Sequence, residues 1–270
     1  MTSTSLPLDG AINLQVRAGH GSVTVHAEDG LTEAVVTLEP RVAKSDITER
    51  TIVELRGRTL TVNTPRRGGI FDLPMLGGPN RARDTVDMTI TVPSGTATKI
   101  SSFTADITVT GRSGSIDAAS GASDIRLAHV DGDLRLRFGS GNAHVEQVTG
   151  SVEVRSGSGA TQFGEVGGNL SSACGNGRLE VDKALGAVRT RSGSGTAVLG
   201  AVYGDVDLAS GSGAVTIGLP QGQSARVELM TGSGRVDSEL PVDDAPSGDR
   251  RKISIRARTG SGDIRLFRAA

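Results

Sequence analysis

The sequence predicts an all-β protein, namely a single-stranded parallel β-helix (β-solenoid) built from 18-residue coils. Three observations support this prediction: glycines fall on a nine-residue grid, alternating apolar residues follow each grid glycine, and aromatic residues are scarce. Of 270 residues, 2% are aromatic and none is Trp, whereas 38 are glycine. A compact core built around large side chains is therefore not expected.

The glycine grid runs from residue 132 to residue 213. It consists of two series with 18-residue spacing, offset by nine residues: Gly132, Gly150, Gly168, Gly186 and Gly204, and Gly141, Gly159, Gly177, Gly195 and Gly213. A further apolar position recurs with the longer spacing only: Val130, Val148, Val166, Ala184 and Val202. The repeating unit is therefore an 18-residue coil with two unlike halves, and it gains stability by stacking on its neighbours.

Each grid glycine is followed by a short strand in which apolar and polar residues alternate. Alternation with period 2 sends the apolar residues to one face and the polar residues to the other. Glu153 and Gln162 are predicted to point outward. The predicted inward residues are Val152, Val154, Phe163 and Val166, with Val152 stacked on Leu134 and Leu170.

One turn of the coil repeats a Gly-Ser-Gly phrase, as in Ser192-Gly-Ser-Gly195 and Ser210-Gly-Ser-Gly213. Glycine is expected at this corner because it adopts positive φ without a Cβ clash. Cys174, the only cysteine, occupies the place that Ser156 and Ser192 fill in neighbouring coils. The sequence thus predicts a serine substitute there and no intrachain disulfide.

The N-terminal third, residues 1–95, is less regular and is predicted to be a capping portion of the same domain. Residues 14–25 repeat the two-strand phrase and form a starting coil, and strands follow at about 33–38, 51–56, 59–63 and 85–92. Residues 66–83 are rich in Gly and Pro and predict a loop. Residues 96–268 are predicted to form the regular solenoid, with the coils stacked in chain order through Thr231-Gly-Ser-Gly234 and Thr259-Gly-Ser-Gly262.

The segment Met88-Thr-Ile-Thr-Val-Pro-Ser-Gly95 and the coils after it resemble the bacterial β-strand-repeat family labelled putative adhesin, a domain of unknown function. The resemblance covers residues 10–267. It implies a right-handed parallel β-helix with a surface or scaffold role, and it supplies no catalytic motif.

Charge and hydropathy restrict the partner and the location. The formal net charge is -1, so no global field favours nucleic acid. The sequence begins without a basic and apolar signal pattern, and no apolar run reaches the about 18 residues of a membrane span. These features predict no nucleic-acid partner, no membrane span and a cytoplasmic location.

Motifs for catalysis or cofactor binding do not stand out in the sequence. No GxxxxGK[ST] phosphate loop or HExxH zinc motif occurs, and the positions that carry calcium ligands in β-rolls are apolar or uncharged, as at Ala143, Leu179 and Val215. The serines lie in Gly-Ser-Gly turns rather than in a nucleophile elbow. We therefore expect no cofactor, no metal and no enzymatic activity.

Two features are candidates for a binding site. The first is the loop of residues 66–83, which is either a lid over the core or a partner-docking loop. Its candidate docking residues are Arg66, Arg67, Ile70, Phe71, Leu73 and Met75. The second is a line of arginines, Arg137, Arg155 and Arg191, which is either a solvated face or a binding stripe.

The sequence best fits a non-enzymatic binding or adhesin-like protein that presents a repetitive surface to a macromolecular partner, either protein or polysaccharide. One alternative is a self-assembling scaffold whose solenoids stack end to end. Another is a carbohydrate-active β-helix enzyme, which would need a carboxylate-lined groove, whereas the acidic residues here are dispersed.

Overall fold

A computed structural model describes residues 1–42, 45–64, 84–240 and 253–269 of the chain. These residues form 23 strands and one four-residue helix, so the all-β class is confirmed. The chain divides into two compact units, Met1–Gly132 and Asp133–Ala270. The predicted division at residues 95 and 96 stays a prediction. The candidate docking loop lies outside the described residues.

The described residues of the first unit form eleven strands and the short helix. The strands predicted in the N-terminal third are all present within one or two residues. The elements are β1 (Thr2–Pro7), β2 (Asn13–Ala18), β3 (His20–Glu28), β4 (Glu33–Pro40), α1 (Ile47–Arg50), β5 (Ile52–Arg56), β6 (Thr59–Asn63), β7 (Thr85–Pro93), β8 (Ala97–Ser102), β9 (Asp106–Ser113), β10 (Ile116–Ala122) and β11 (Ile125–Val130).

The parallel strands of the first unit do not stack in chain order. Strand β2 lies between β6 and β8, and strand β3 lies between β7 and β9, in parallel register on both sides. The predicted starting coil is therefore second in the stack. The outermost coil comes from the internal strands β6 and β7.

Antiparallel strands cover this outermost coil. Strand β4 pairs antiparallel with β7, β1 pairs with β4, and β5 pairs with β6. The inward residues of β7, Val86, Met88, Ile90 and Val92, are fully buried as a result. The capping role predicted for residues 1–95 stays a prediction.

Twelve strands are formed by the residues of the second unit that the structure describes. Two of them, β14 and β15, run through a corner of the coil without a break. The strands are β12 (Leu134–Ser140), β13 (Ala143–Val148), β14 (Val152–Val166), β15 (Leu170–Ala184), β16 (Val188–Ser192), β17 (Thr196–Val202), β18 (Val206–Ser210), β19 (Val215–Pro220), β20 (Ala225–Thr231), β21 (Val236–Ser238), β22 (Ile253–Thr259) and β23 (Ile264–Ala269).

Each coil of the second unit contributes one segment to each of two walls. The first wall holds β12, residues 152–156 of β14, residues 170–174 of β15, then β16, β18, β22 and β20. The second wall holds β13, the later parts of β14 and β15, then β17, β19, β23 and β21. Neighbouring segments pair in parallel throughout.

The pairing register agrees with the prediction for the central coils. Val152 pairs with Leu134 on one side and with Leu170 on the other, one coil away in each direction. The side chain of Phe163 is only 2% exposed, and Val152, Val154 and Val166 are also buried. The predicted inward residues and their neighbours are confirmed.

The order of the last two coils differs from the prediction. Val206 pairs with Ile255, and Ile255 pairs in turn with Val227. The C-terminal strands β22 and β23 are thus inserted between β18/β19 and β20/β21, although they come last in the chain. The inserted strands bury Ile253, Ile255, Ile264 and Leu266, whereas β20 and β21 carry Val227, Leu229 and Val236 at inward positions, so the observed order buries more apolar surface in total.

The grid glycines are required mainly by close contact between coils. A Cβ atom at Gly186 would overlap the Gly168 carbonyl and would lie 2.9 Å from the Asn169 amide nitrogen. Among the five turn glycines of the grid, only Gly141 and Gly159 have positive φ. The predicted reason was therefore wrong for Gly195 and its equivalents, where the backbone of the coil below excludes a side chain.

Turn hydroxyls form hydrogen bonds both within one coil and between successive coils. The Ser192 and Ser210 hydroxyls accept hydrogen bonds from the amides of Gly195 and Gly213, at 2.7 and 2.9 Å. The Ser210 hydroxyl also donates to the Gly195 carbonyl of the preceding coil. Cys174 pairs in register with Ser156 and Ser192, as expected of a serine substitute.

Candidate functional site

Among the described residues of the second unit, charged side chains are densest on the first wall. Outward positions alternate with the buried residues of each strand, which places two columns of charged side chains on this surface, with Arg226 beside them. We call it the arginine face. Its charged residues are Arg135, Arg137, Glu153, Arg155, Arg189, Arg191, Asp207, Arg226, Arg256, Arg258 and Glu228.

Each carboxylate of the arginine face lies between two arginines. Glu153 accepts from Arg135 Nε at 2.9 Å and from Arg155 Nη2 at 3.0 Å. Asp207 lies 2.7 Å from Arg191 Nη2 and 3.7 Å from Arg189 Nε.

The same arrangement recurs around Glu228, whose carboxylate accepts from Arg256 Nε at 3.0 Å and from Arg258 Nη2 at 2.6 Å. One arginine neutralises the carboxylate in each cluster, and the second leaves a net positive charge. The face therefore has three arginine–carboxylate–arginine clusters.

The arginines keep these carboxylates ionised. A hydrogen bond from Arg135 is the main cause that lowers the pKa of the Glu153 carboxyl below its ordinary value. Hydrogen bonds from Arg191 and from Arg258 likewise lower the pKa values of Asp207 and Glu228. The clusters thus persist at neutral pH, and the carboxylates hold the guanidinium groups in place.

The arginine side chains remain at least half exposed, so they stay available to a ligand. A guanidinium group has five N–H donors, and one ion pair leaves several of them free for other acceptors. Arg189, Asp207 and Arg256 also line a shallow groove together with Asn169 and Ser171. The groove offers both charged and neutral hydrogen-bonding groups.

The second wall has a different charge balance. Its acidic residues outnumber its basic residues by one among the described positions. They are Glu146, Glu165, Glu180, Asp182 and Asp237 against Arg178, Lys183, Arg265 and Arg268. Positive charge is therefore concentrated on one wall of a unit that belongs to a nearly neutral chain.

The predicted line of arginines is confirmed by the register. Arg137 pairs with Arg155, and Ala173 connects Arg155 to Arg191. The candidate docking residues Arg66, Arg67, Ile70, Phe71, Leu73 and Met75 lie outside the described residues, so that prediction stays open.

Sequence reasoning missed Arg256 and Arg258, which lie next in the two columns. A signal was present, because Arg-x-Arg precedes the turn phrase three times. The three segments are Arg135-Leu-Arg137-Phe-Gly-Ser-Gly141, Arg189-Thr-Arg191-Ser-Gly-Ser-Gly195 and Arg256-Ala-Arg258-Thr-Gly-Ser-Gly262. Aligning the chain by this motif would have found the pair.

The part of the chain that the structure describes offers few other candidate sites. Within those residues, no group of three or more His, Cys, Asp or Glu side chains could hold a metal ion. None of the described helices is long and apolar enough to cross a membrane. The arginine face is accordingly the candidate site with the best-defined geometry.

Comparison with known proteins identifies a family and a fold. The family model of Toastrack DUF4097 matches residues 11–269. A putative adhesin from Parabacteroides distasonis is 13% identical with a TM-score of 0.52, and the match covers 98% of this chain and 96% of that chain. A putative adhesin from Parabacteroides merdae is 11% identical with a TM-score of 0.51, covering 98% and 95%.

A third structure, a putative adhesin from Bacteroides fragilis, is 15% identical with a TM-score of 0.44, covering 98% and 96%. No curated protein matches the chain. Identities this low show a likeness of fold alone, but the resemblance to adhesin-labelled β-strand-repeat proteins is confirmed. Because the family model spans nearly the whole sequence, the chain belongs to the Toastrack DUF4097 family.

Proposed function

We propose that this protein is a non-enzymatic binding protein whose arginine face binds an acidic polysaccharide. The observation that carries the proposal is the set of three arginine–carboxylate–arginine clusters on one wall. Each cluster presents a fixed, half-exposed guanidinium group with unused donors, which suits carboxylate or sulfate oxygens.

The charge density of the face fits a sparsely charged polymer. Eight arginines and three carboxylates give the face a net formal charge of +5. Six steps between coils, at about 4.8 Å each, span about 29 Å, so one net positive charge occurs about every 6 Å. A polymer with one acidic group for every one or two sugar rings matches this spacing.

Nucleic acid fits the face less well. Duplex DNA carries one negative charge per about 1.7 Å of helix axis, so Glu153, Asp207 and Glu228 would each lie near phosphates. Single strands are commonly held by stacking on aromatic side chains, and the arginine face has none. The polysaccharide therefore remains the better match, as it was among the partners expected from the sequence.

The comparisons support a binding role in general terms. The two Parabacteroides neighbours with TM-scores above 0.5 are described as putative adhesins, and neither they nor the family bear the name of an enzyme. A filament-forming scaffold has less support, because head-to-tail stacking needs two open ends and β1, β4 and β5 cover the outermost coil of the first unit.

The proposal also includes the handedness and the coil length of the solenoid. An 18-residue coil is supported by the 18-residue register between β14 and β15, and the right-handed twist implied by the family resemblance remains a proposal. The single domain with a capping portion at residues 1–95, the cytoplasmic location and the lid or docking role of residues 66–83 also remain proposals.

Replacing Arg189 and Arg256 together with glutamine should weaken binding to an acidic polysaccharide about tenfold, or about 1.4 kcal/mol. Both side chains line the groove, and each loses a charge that faces the ligand. Isothermal titration calorimetry with hyaluronan, which has one carboxylate for every two sugar rings, and with polygalacturonate, which has one for every ring, would measure the effect. Binding should also weaken with added salt, because exposed charges are screened.

A matched control is the double variant Arg178→Gln/Arg265→Gln on the second wall. It removes the same charge from two side chains of similar exposure, each paired with one glutamate. This control should bind as the unmodified protein does. Equal loss in both variants, or no binding to either polymer, would refute the proposal. Tighter binding to single-stranded DNA or to anionic vesicles would replace it with a different partner.

A further inference from the structure

The last coil of the second unit, made of β20 and β21, is bonded on one side only. Strand β20 pairs with β22, and β21 pairs with β23. No other described strand pairs with either of them. We call β20 and β21 the end coil. Its outer edge presents the backbone N–H and C=O groups that normally join one coil to the next.

The inward side chains of the end coil are not fully covered. Val227 is 39% exposed and Val236 is 48% exposed, whereas their partners Ile255 and Ile264 are fully buried. Leu229 is likewise only half-buried. The apolar interior of the stack is therefore accessible at the end coil.

The outermost coil of the first unit, in contrast, is covered by other strands. Strands β4 and β5 cover β7 and β6, and every inward residue of β6 and β7 is buried. The chain thus has covering strands for one outermost coil, while the described residues include none for the end coil. An open apolar edge of this kind commonly joins another strand.

We propose that the end coil is the interface of an isologous dimer, in which β20 pairs antiparallel with β20 of a second copy. The edge is self-complementary, because a second copy offers the same open backbone groups and the same uncovered valines. A pairing of two identical edges closes both at once and stops at two molecules.

Charge complementarity selects the register of this pairing. An antiparallel pairing centred on Val227 places each Val227 opposite its counterpart. It also places Arg226 opposite Glu228 of the second copy, and Glu228 opposite Arg226 of the second copy. Both residues are outward neighbours of Val227, and opposite charges directly across an antiparallel pair stabilise it. This inference does not depend on the proposed polysaccharide ligand.

Sedimentation velocity over a range of protein concentrations tests the dimer. We expect the unmodified protein to shift from monomer to dimer as the concentration rises. Val227→Lys, which places an inward charge on the edge, should weaken dimerisation at least about tenfold. Tyr203→Lys is the matched control, since Tyr203 is 42% exposed but lies between β17 and β18 rather than in the end coil, and it should leave dimerisation unchanged.

A second variant guards against a folding defect in Val227→Lys. Arg226→Glu changes only an exposed side chain, and it places like charges opposite each other across the proposed pair. It should also weaken the dimer, while Arg226→Lys keeps the positive charge opposite Glu228 and should leave dimerisation unchanged.

Disulfide trapping tests the register itself. In a Cys174→Ser background, Val227→Cys should form a covalent dimer under mild oxidation, because directly opposed Cβ atoms lie about 4.5–5.5 Å apart in an antiparallel pair. Tyr203→Cys in the same background should remain monomeric on a non-reducing gel. A monomer at every concentration, a dimer unaffected by Val227→Lys and Arg226→Glu, or growth into larger polymers would overturn the proposal.

Discussion

Replacing Phe163 with alanine should lower the free energy of unfolding by about 3 to 5 kcal/mol. Phe163 is the largest fully buried side chain among the described residues, and it lies in a core made mostly of Val, Ile, Leu and Ala. Neighbouring coils are fixed by parallel pairing on both sides, at Val145 and Val181, so the walls cannot collapse into the space left by the ring. Chemical denaturation followed by circular dichroism would measure the loss.

Phe103→Ala provides the matched control for this substitution. Phe103 is 51% exposed and makes one edge-to-face contact with the His20 ring. Its truncation should cost about 1 kcal/mol or less. Comparable losses for the two variants would contradict the burial of Phe163 and the register that depends on it.

Adding a single methyl group at Gly186 should destabilise the protein by about 1 to 3 kcal/mol or more. The new Cβ would overlap the Gly168 carbonyl, and every atom that it meets within 3 Å belongs to the backbone of the coil below. Rotation of a side chain cannot relieve this overlap, so the two coils must separate and weaken their hydrogen bonds. A thermal melt of Gly186→Ala would report the change.

Gly19→Ala is the control, because a Cβ atom there meets nothing within 4 Å and its φ is not in the left-handed region. That substitution should be neutral or slightly stabilising, since it restricts the unfolded chain. A melting temperature for Gly186→Ala equal to that of the control would show that the coils do not approach as closely as the structure indicates.

The central coils could be predicted from sequence because each position has one dominant physical requirement. Gly168 and Gly186 need the space that a side chain would take, while Val152 and Phe163 alternate with polar neighbours. Both requirements repeat once in every coil, so the register between β14 and β15 could be predicted directly from the sequence.

The ends of the stack could not be predicted in the same way. Thr231-Gly-Ser-Gly234 and Thr259-Gly-Ser-Gly262 continue the pattern after Gly213 equally well, so the periodicity does not choose between them. The choice depends on how much apolar surface each segment buries. Ile253, Ile255 and Ile264 bury more apolar surface than Val227 and Val236 do. Because the order was misjudged, Arg256 and Arg258 were not assigned to the arginine face.

The insertion of the first and last coils affects how the chain responds to force. Strand β2 is bonded to β6 and β8, and strand β23 is bonded to β19 and β21. Tension on the C-terminus therefore loads two rows of hydrogen bonds at once, so β23 resists being peeled away. Tension on the N-terminus first reaches β1, which pairs with β4 alone among the described strands, so a protein held by its ends would begin to yield by separation of β1 from β4.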